Sequence, residues 1–131
     1  MRVRDIMRSP VIAIKPEELI EKALEIMYRD GINGMPVVDE DEKLIGFVVR
    51  ADIYRFLIDP GHYKYCPVEW VMTKRVLTAS PEDEIVDVAR RLRKKNIIAI
   101  PVVENNKVIG IVSIENLVDH YIEVCKEYTS V

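Results

Sequence analysis

The sequence predicts an α/β (α+β) fold in which two copies of one β-α-β-β-α unit make up almost the whole chain. The first observation is an internal repeat, because residues 3–57 are followed by a closely similar stretch at 68–121. The second is that each copy alternates Val/Ile-rich runs, typical of strands, with apolar residues at helical spacing. Repeats of this length are whole supersecondary units that bury their apolar faces against one another.

The two copies align with one-residue gaps only. The alignment pairs Val3 with Val68, Met7 with Met72, Val11 with Val76, Pro16 with Pro81, Ala23 with Ala89, Pro36-Val37-Val38 with Pro101-Val102-Val103, and Gly46 with Gly110. A copy of under 60 residues is too short to bury a comfortable core alone, so we expect both copies to form one folded body. The expected segments are a first repeat at 1–57, a linker at 58–67, a second repeat at 68–125 and a C-terminal tail at 126–131 that frays.

Each repeat opens with a short turn and a β-rich run, Val11–Ile14 in the first copy, and continues into a helix. We expect these helices to begin at Pro16 and Pro81, since proline suits the first helical position, with Ser80 as an N-cap. Gly31 and Asn96 are expected to end them.

A strand pair and a second helix complete each repeat. The expected strands are Met35–Val38, Leu44–Val49, Ile100–Val103 and Val108–Ser113, with Asn105-Asn106 as a tight hairpin turn in the second copy. The second helices are expected to begin near Ala51-Asp52 and near Glu115-Asn116.

Composition excludes several classes of protein. Hydrophobic residues make up 49% of the 131 residues and charged residues 31%, as in a globular chain. A net charge of −3 argues against a nucleic-acid partner. The apolar runs are shorter than a membrane span, and the N-terminus carries no signal-peptide pattern. Together with two cysteines that make no disulfide framework, this predicts a cytoplasmic protein without a membrane partner.

Metal binding and catalysis find little support in the residue pattern. His62 and Cys66 lie four residues apart, but no second Cys/His pair is near them in sequence, so we expect no metal site. No nucleophile–base pairing or phosphate-binding glycine loop is visible, so an enzyme is the poorest fit.

The repeated motifs resemble those of CBS domains, and the chain resembles a tandem pair of them, a Bateman module standing alone. The motifs are Gly34–Asp39 with Gly46–Asp52, and Ala99–Glu104 with Gly110–Asn116, each an apolar-Pro-Val-Val-acid strand followed by a Gly-containing strand and a polar helix start. The resemblance covers all but the linker and the tail, and leaves no room for a catalytic domain.

The resemblance implies a regulatory module that senses an adenosine-containing ligand and needs no other cofactor. Candidates are AMP, ADP and ATP, as in energy sensing, with S-adenosylmethionine and NAD as further possibilities. It also implies repeats that pack through their sheets with pseudo-twofold symmetry, two clefts between them, and a homodimer. A regulated enzyme or transporter would then be a separate chain.

Family roles map onto individual residues of this sequence. Asp52 matches the carboxylate that accepts hydrogen bonds from ribose hydroxyls, while Val49 stands where the family has a phosphate-binding hydroxyl. Arg50, Lys74 or Arg75 are expected to supply positive charge instead. In the second repeat Ser113 keeps the hydroxyl and Asn116 replaces the acid. The resemblance groups Asp52 with Thr73, Lys74, Ile98, Ala99 and Ile100, and it groups Ser113 and Asn116 with Ser9, Asn33, Gly34 and Met35.

Structural roles explain the same residues equally well. Ser113 with Asn116 is a helix N-cap pattern, and an acid such as Asp52 suits a first helical turn without any ligand. Met35 and Ile100 are ordinary core residues in this interpretation. The incomplete motifs therefore keep open an alternative function, a ligand-silent dimerisation or scaffolding module with apolar helical faces at 53–58 and 117–124 as its partner surface.

Overall fold

The computed structural model describes residues 1–129, with side chains through Lys126. Four helices and four strands follow in the order α1 (Ile20–Asp30), β1 (Gly34–Val38), β2 (Leu44–Val49), α2 (Arg50–Ile58), α3 (Ile85–Lys95), β3 (Ala99–Glu104), β4 (Lys107–Ser113) and α4 (Ile114–Thr129). Short 3-10 helices at Val3–Asp5 and Val68–Trp70 open the two repeats. None of the helices in the described part of the chain combines the length and the apolar character needed to cross a bilayer.

The chain folds into two compact units that exchange their opening segments. Unit 1 contains Met1–Val11, Leu77–Glu104 and Ile109–Val131, and unit 2 contains Ile12–Val76 and Asn105–Val108. Each unit therefore takes its 3-10 helix from the other sequence repeat. Val3 and Val68, at the heart of these exchanged segments, are both fully buried.

The first helix of each repeat begins four residues later than the sequence predicted. The expected starts at Pro16 and Pro81 are wrong, because α1 begins at Ile20 and α3 at Ile85. The predicted cap Ser80 instead organises the turn before α3, where its hydroxyl accepts a hydrogen bond from the Glu82 amide at 3.2 Å. A polar residue before proline favours such a local turn as readily as a helix.

The ends of these helices follow the prediction. Gly31 and Asn96 adopt left-handed backbone conformations, with φ of 63° and 54°, and close α1 and α3. Glycine and asparagine tolerate this conformation better than other residues, which is why they mark helix ends. The structure thereby confirms both predicted helix ends.

The buried faces of α1 and α3 correct one detail of the repeat alignment. Ile20 and Ile85 open the two helices, so Ala23 corresponds to Val88, and all four side chains are buried. The sequence alignment had paired Ala23 with Ala89, which is only half-buried. No gap is needed inside the helix, because both helices have 11 residues.

Each unit contains one two-stranded sheet. Strands β1 and β2 pair antiparallel, from Gly34 opposite Val49 to Val38 opposite Leu44, and β3 pairs with β4. The predicted strand at Val11–Ile14 shrinks to a single parallel bridge between Ile14 and Val37. The equivalent bridge in unit 1 joins Ala79 to Val102, so neither repeat builds a full first strand.

The two hairpin turns differ from each other. Asn105 and Asn106 have φ of 53° and 66°, which confirms the tight turn predicted between β3 and β4. The turn between β1 and β2 is longer, and the Asp39 carboxylate holds it by accepting hydrogen bonds from the amides of Asp41 (2.8 Å) and Lys43 (3.0 Å).

Acid is expected to weaken the Asp39 turn. The hydrogen bond from the Lys43 amide is the main cause that lowers the pKa of Asp39 in the folded protein. A lowered folded pKa gives stability that is present above the unfolded pKa and is lost as the pH falls through the folded value. We therefore expect Asp39→Ala to unfold at lower urea concentration than the wild type at pH 7, with the gap closing by about pH 2.

The control for this prediction is Asp39→Asn, which keeps an uncharged acceptor oxygen at the same place. At pH 7 we expect the wild type to be more stable against urea than Asp39→Asn. In acid we expect this difference in stability to shrink or reverse. Urea unfolding followed by circular dichroism at both pH values measures the effect. An Asp39→Ala gap of the same size at pH 7 and pH 2 would contradict the role of the carboxylate charge.

Each unit buries its own apolar core. The unit 2 core consists of Ile14, Ile20, Ala23, Ile26, Met27, Met35, Val37, Val48, Ile53, Cys66 and Val68. The unit 1 core consists of Val3, Ala79, Ile85, Val88, Leu92, Ile100, Val102, Val112 and Leu117. The residues described include no buried polar or charged side chain. Burial of aliphatic side chains therefore stabilises both units.

Two glycines let the exchanged segments lie against the sheets. A Cβ atom added to Gly46 would lie 2.6 Å from the Met72 sulfur and 3.1 Å from the Thr73 carbonyl oxygen. At Gly110 the same atom would lie 2.7 Å from the Met7 sulfur. The Gly46–Gly110 match found in the sequence therefore has a packing cause, since any side chain would push the opening segment away.

The C-terminal segment differs in part from the tail that the sequence predicted. Helix α4 continues to Thr129, through most of the stretch expected as a tail at 126–131. Ser130 and Val131 lie outside the described residues, so the expected fraying of the tail stays a prediction there.

Candidate functional site

The predicted site residues of unit 2 meet at one end of its hairpin. Arg50, the first residue of α2, donates its amide to the Asn33 carbonyl at 2.8 Å, and its guanidinium donates to the Ile32 carbonyl at 3.0 Å. Gly34 pairs with Val49 across the strands. The segment before Pro36 and the start of α2 therefore form one edge.

The exchanged opening segment adds a third side to this edge. Thr73 and Phe47 each donate their amide to the carbonyl of the other, at 2.8 and 2.9 Å. This bridge is antiparallel, so Thr73 lies opposite Phe47, two residues before Val49, and the chain after Thr73 runs away from the α2 start. Thr73 and Lys74 are exposed, and Lys74 makes no ion pair within the described residues. The basic side chain is thus available to an anion.

Asp52 lies in the first turn of α2 with about a third of its side chain exposed. Its carboxylate pairs with the guanidinium of Arg55 one turn later. The helix begins after Val49, which provides no side-chain cap. An exposed ion pair of this kind is worth about 0.2–1 kcal/mol, so a ligand can displace it at small cost.

In unit 1 the corresponding helix start is fully capped. Ser113 Oγ accepts a hydrogen bond from the Asn116 amide at 3.1 Å, and Asn116 Oδ1 accepts from the Ser113 amide at 2.9 Å. The Ser113 hydroxyl also donates to Asn116 Oδ1 at 2.9 Å. This reciprocal pattern is a capping box, so the N-cap role weighed in the sequence is present. A ligand bound here has to share these groups.

Of the other predicted residues of unit 1, the segment before Pro101 adjoins this cap, and Ser9 lies further back along β4. The Ile98 carbonyl accepts the Ile114 amide at 2.9 Å, which joins the segment before Pro101 to the α4 start. Arg8 and Ile111 exchange backbone hydrogen bonds at 2.8 and 3.2 Å, and Ser9 Oγ donates to the Ile109 carbonyl at 3.4 Å. Unit 1 thus repeats the three-sided edge of unit 2.

The predicted site residues are divided between the two units. Unit 2 brings together the set Asn33, Gly34, Met35, Val49, Arg50, Asp52, Thr73 and Lys74. Unit 1 brings together the set Ser9, Ile98, Ala99, Ile100, Ser113 and Asn116. The grouping of Asp52 with Ile98–Ile100, and of Ser113 with Asn33–Met35, stays a prediction.

Three of the predicted adenine-contacting residues have a structural role. Met35 and Ile100 are fully buried in the unit cores, so their side chains pack against protein. Gly34 is tightly packed, because an added Cβ atom would lie 2.8 Å from the Phe47 ring. Ile98, in contrast, is 37% exposed and presents an apolar surface to solvent.

Sequence reasoning missed two residues of these edges. Arg55 holds the Asp52 carboxylate, and the three-residue spacing of an acid and a base on one helix was its signal. Arg8 lies next to Ser9 at the position that Thr73 occupies in the other repeat, so the repeat alignment already pointed to it. No group of three or more His, Cys, Asp or Glu side chains within the described residues is arranged to hold a metal ion.

Ser113→Ala tests the cap directly. Removing the N-cap hydroxyl of α4 is expected to lower the free energy of unfolding by about 1 kcal/mol, within a usual range of about 0.5–2 kcal/mol. Ser9→Ala is the matched control, since its hydroxyl makes one long, exposed contact and its loss should change stability little. Urea unfolding measures both, and equal stability of Ser113→Ala and the wild type would contradict the capping role.

Comparison with known proteins identifies the family. A family model described as "CBS domain" matches residues 3–59 and 68–123. The chain therefore belongs to the CBS domain family and contains two tandem copies of the domain.

Solved structures of CBS domain pairs share this fold. The CBS domain pair of protein MJ0100, in complex with 5'-methylthioadenosine and S-adenosyl-L-methionine, superposes with a TM-score of 0.86 and 31% identity, over 95% of this chain and 98% of that one. CBSX2 in complex with AMP superposes with a TM-score of 0.82 and 28% identity, over 94% and 97% of the two chains.

Curated relatives are longer proteins. A homoserine O-acetyltransferase of Methanosalsum zhilinae is 35% identical over 116 residues, which are 88% of this chain and 23% of that protein. The chain spans between 22% and 39% of the length of the curated relatives with which it was compared. Their enzyme names therefore describe proteins of which this chain resembles a minor part.

Proposed function

We propose that this chain is a non-enzymatic regulatory module that binds an adenosine-containing ligand at the α2 edge of unit 2, the α4 edge of unit 1, or both. The observation that supports this most is the likeness, over nearly the whole chain, to CBS pairs solved with 5'-methylthioadenosine, S-adenosylmethionine or AMP. Both units of this chain build the same three-sided edge from the same parts of the repeat.

In unit 2, Asp52 is the proposed ribose-binding residue. A carboxylate accepts hydrogen bonds from two vicinal hydroxyls at once, and charge makes such bonds stronger than neutral ones. The exposed ion pair with Arg55 is weak, so ribose hydroxyls can replace it at the Asp52 carboxylate. The exposed residue Asn33, next to buried Gly34, is proposed to supply backbone groups for the base.

Phosphate binding is proposed for the basic residues of the exchanged segment and for the first residue of α2. Lys74 and Arg75 are exposed and form no ion pair in the described part of the chain, so a phosphate would gain their charge without breaking an existing contact. Arg50 is less available because its guanidinium already donates to the Ile32 carbonyl. Since Val49 offers no hydroxyl, these cations carry the preference for AMP, ADP or ATP.

In unit 1, Ser113 and Asn116 are proposed to bind a less charged adenosyl ligand. An amide at Asn116 accepts from one hydroxyl and donates to another, which is weaker than a charged acceptor. The mutual capping bonds of the two side chains compete with any ligand. The proposal therefore assigns the stronger site to unit 2 and S-adenosylmethionine or a similar compound to unit 1.

Thermal unfolding in the presence of candidate ligands tests the proposal. Ligand-free protein, verified by mass spectrometry, is heated with AMP, ADP, ATP, S-adenosylmethionine, NAD or no addition. A ligand at about 100 times its Kd stabilises the folded state by about 2.7 kcal/mol, which raises Tm by several degrees. Guanosine nucleotides serve as the control. No shift with any adenosyl compound, or equal shifts with guanosine nucleotides, would contradict adenosine recognition.

A homodimer through unit 1 is the proposed assembly. Helices α3 and α4 border an apolar groove of about 570 Å³, lined by Ala89 and Arg93 and by Leu117, Val118, Tyr121 and Ile122. Val118 and Ile122 are each about half exposed. Exposed apolar surface of this kind marks interaction sites. Analytical ultracentrifugation of the wild type and of Val118→Asp tests the assembly, and a monomeric wild type at every concentration would contradict it.

The same groove favours a second candidate function, a dimerisation or scaffolding module that binds no small molecule. In either case the proposed setting is the cytoplasm, and the proposed regulated partner is an enzyme or a transporter. The thermal unfolding experiment separates the two functions, because a scaffold dimerises without responding to any of the ligands.

A further inference from the structure

The exchanged segment makes the same backbone hydrogen bond to a proline carbonyl in both units. In unit 1 its side chains also form ion pairs with the acids of the turn before α3. The Arg4 amide donates to the Pro81 carbonyl at 3.0 Å. The Arg4 guanidinium then bonds to the Glu82 carboxylate, with Nε 2.7 Å from Oε1. Beside it, Arg2 lies 3.6 Å from Glu84. Two cations of the exchanged segment thus neutralise two acids of the turn before α3.

Unit 2 has the same backbone hydrogen bond but lacks the ion pair. The Glu69 amide donates to the Pro16 carbonyl at 3.0 Å, which places Glu69 at the position of Arg4. The neighbouring residue Glu17 corresponds to Glu82. Two carboxylates therefore occupy the places where unit 1 has an ion pair. Like charges at paired positions are destabilising, and unit 2 has an acid where unit 1 has the cation of Arg4.

Exposed apolar and aromatic side chains occur in the same segments of the chain as these two acids. The ridge, defined as Leu19, Tyr63, Tyr65 and Trp70, belongs to the exchanged segment and the turn that it pairs with. Tyr63, Tyr65 and Trp70 are 65%, 63% and 60% exposed, and Leu19 is 40% exposed. Tryptophan and tyrosine in such numbers on a surface are typical of protein interfaces.

Three acids close to the ridge in sequence have no ion-pair partner among the described residues. Glu21 pairs with Lys64 at 3.5 Å, which leaves that couple neutral. Glu17, Glu18 and Glu69 make no ion pair with any residue that the structure describes. An apolar surface with three uncompensated acids selects an occupant that is both apolar and basic.

We propose that the ridge docks a basic segment of a partner protein. An Arg or Lys side chain of that segment enters between Glu17 and Glu69, as Arg4 does beside Glu82 in unit 1, and lies against the ring of Trp70. Guanidinium groups bind carboxylates in a fixed fork geometry and stack on aromatic faces. This surface uses none of the residues assigned to the adenosyl ligand, so it can fail or succeed independently of the proposed function.

Trp70 provides the measurement, because it is the single tryptophan of the chain. Its fluorescence is followed while the full chain is titrated, at low ionic strength, with an acetylated and amidated heptapeptide of alternating Arg and Leu. The matched probe is the same peptide with Glu in place of Arg. We expect saturable binding of the basic peptide with a Kd below about 1 mM, a shift in Trp70 emission, and no binding of the acidic peptide.

Glu69→Arg is the decisive variant, since it rebuilds in unit 2 the pairing that Arg4 makes in unit 1. We expect it to weaken binding of the basic peptide at least about tenfold, equivalent to about 1.4 kcal/mol. Its Tm is expected to equal or exceed that of the wild type. Glu40→Arg, the same charge change at an exposed turn elsewhere in unit 2, is the control and should bind nearly as well as the wild type.

Three results would overturn the proposal. The first is no binding of the basic peptide to the wild type up to about 1 mM. The second is equal binding of the acidic and basic peptides, which would indicate a purely apolar contact. The third is equal weakening by Glu69→Arg and Glu40→Arg, which would indicate attraction to the net charge of the chain and not to the ridge.

Discussion

Replacing Asp52 with Ala is expected to weaken binding of an adenosyl ligand to unit 2 by about 10- to 100-fold. A hydrogen bond to a charged group contributes about 1.5–3 kcal/mol, and each 1.4 kcal/mol corresponds to a factor of ten in Kd. The effect is large because this one carboxylate is proposed to accept hydrogen bonds from both ribose hydroxyls. Calorimetric titration with the ligand that gives the largest thermal shift measures the change.

Arg55→Ala is the matched control for Asp52→Ala. Both variants lose the ion pair between Asp52 and Arg55, but only Arg55→Ala keeps the carboxylate. We therefore expect Arg55→Ala to bind the ligand with nearly the affinity of the wild type, and the 2',3'-dideoxy form of the ligand to bind the wild type as weakly as Asp52→Ala binds the parent compound. Equal losses in the two variants would mean that the ion pair, and not the ribose, explains the effect.

Replacing Leu92 with Ala is expected to lower the free energy of unfolding by about 2–5 kcal/mol. Leu92 is fully buried in the unit 1 core, on the inward face of α3. Truncation loses the burial of the side chain and leaves a cavity that the surrounding aliphatic residues fill only in part. A loss of this size is a large share of the about 5–15 kcal/mol that stabilises most domains.

Val86→Ala on the same helix is the control for Leu92→Ala. Val86 is 45% exposed, so its truncation removes little buried surface, and alanine has a higher helix propensity than either leucine or valine. Its effect is expected to stay within about 0.5 kcal/mol. Urea unfolding of the three proteins decides the matter, and a Leu92→Ala effect no larger than that of Val86→Ala would contradict the assignment of the core.

Most of the fold follows from short-range sequence signals. Val/Ile-rich runs predicted the four strands, and Gly31, Asn96 and Asn105-Asn106 predicted helix ends and a turn through their tolerance of positive φ. The helix starts at Pro16 and Pro81 were wrong because a proline-acid turn and a first helical turn have the same composition. The hydrogen bonds of Ser80 show that the turn prevails here.

The exchange of opening segments was beyond the reach of the sequence pattern. The segments around Val3 and Val68 have the same apolar spacing, so either one suits either core by hydrophobicity alone. Long-range backbone pairing decides the outcome, as between Arg8 and Ile111 and between Phe47 and Thr73. The likeness of the two copies, which made the fold predictable, is also what concealed the exchange.

The sequence predicted which residues belong to the candidate site, but only part of their hydrogen bonds and neighbours. The motif positions Asp52 and Ser113 fall on helix starts, as the sequence indicated. The capping box of Ser113 and Asn116 was weighed as an alternative and is present, but its competition with a ligand depends on hydrogen-bond geometry. The acids Glu17 and Glu69 carry no local signal at all, because only the exchange joins the backbone of Glu69 to Pro16, next to Glu17.

The two copies of the repeat differ in sequence, so the two units present different binding surfaces. Unit 1 has a capped helix start and a neutralised exchanged segment. Unit 2 has an uncapped helix start with an acid and exposed bases, and an aromatic ridge with uncompensated acids. Unit 1 is thereby suited to stability, and unit 2 is the half in which we expect ligand and partner to bind.

The most direct test of the proposed function is a crystal structure of the chain grown with a saturating concentration of the adenosyl compound that raises Tm most. We expect electron density for that compound in unit 2, with the ribose hydroxyls within hydrogen-bond distance of the Asp52 carboxylate and the base beside Asn33-Gly34. Density for the compound away from both helix-start edges, or crystals in which both edges hold only water at saturation, would contradict the account.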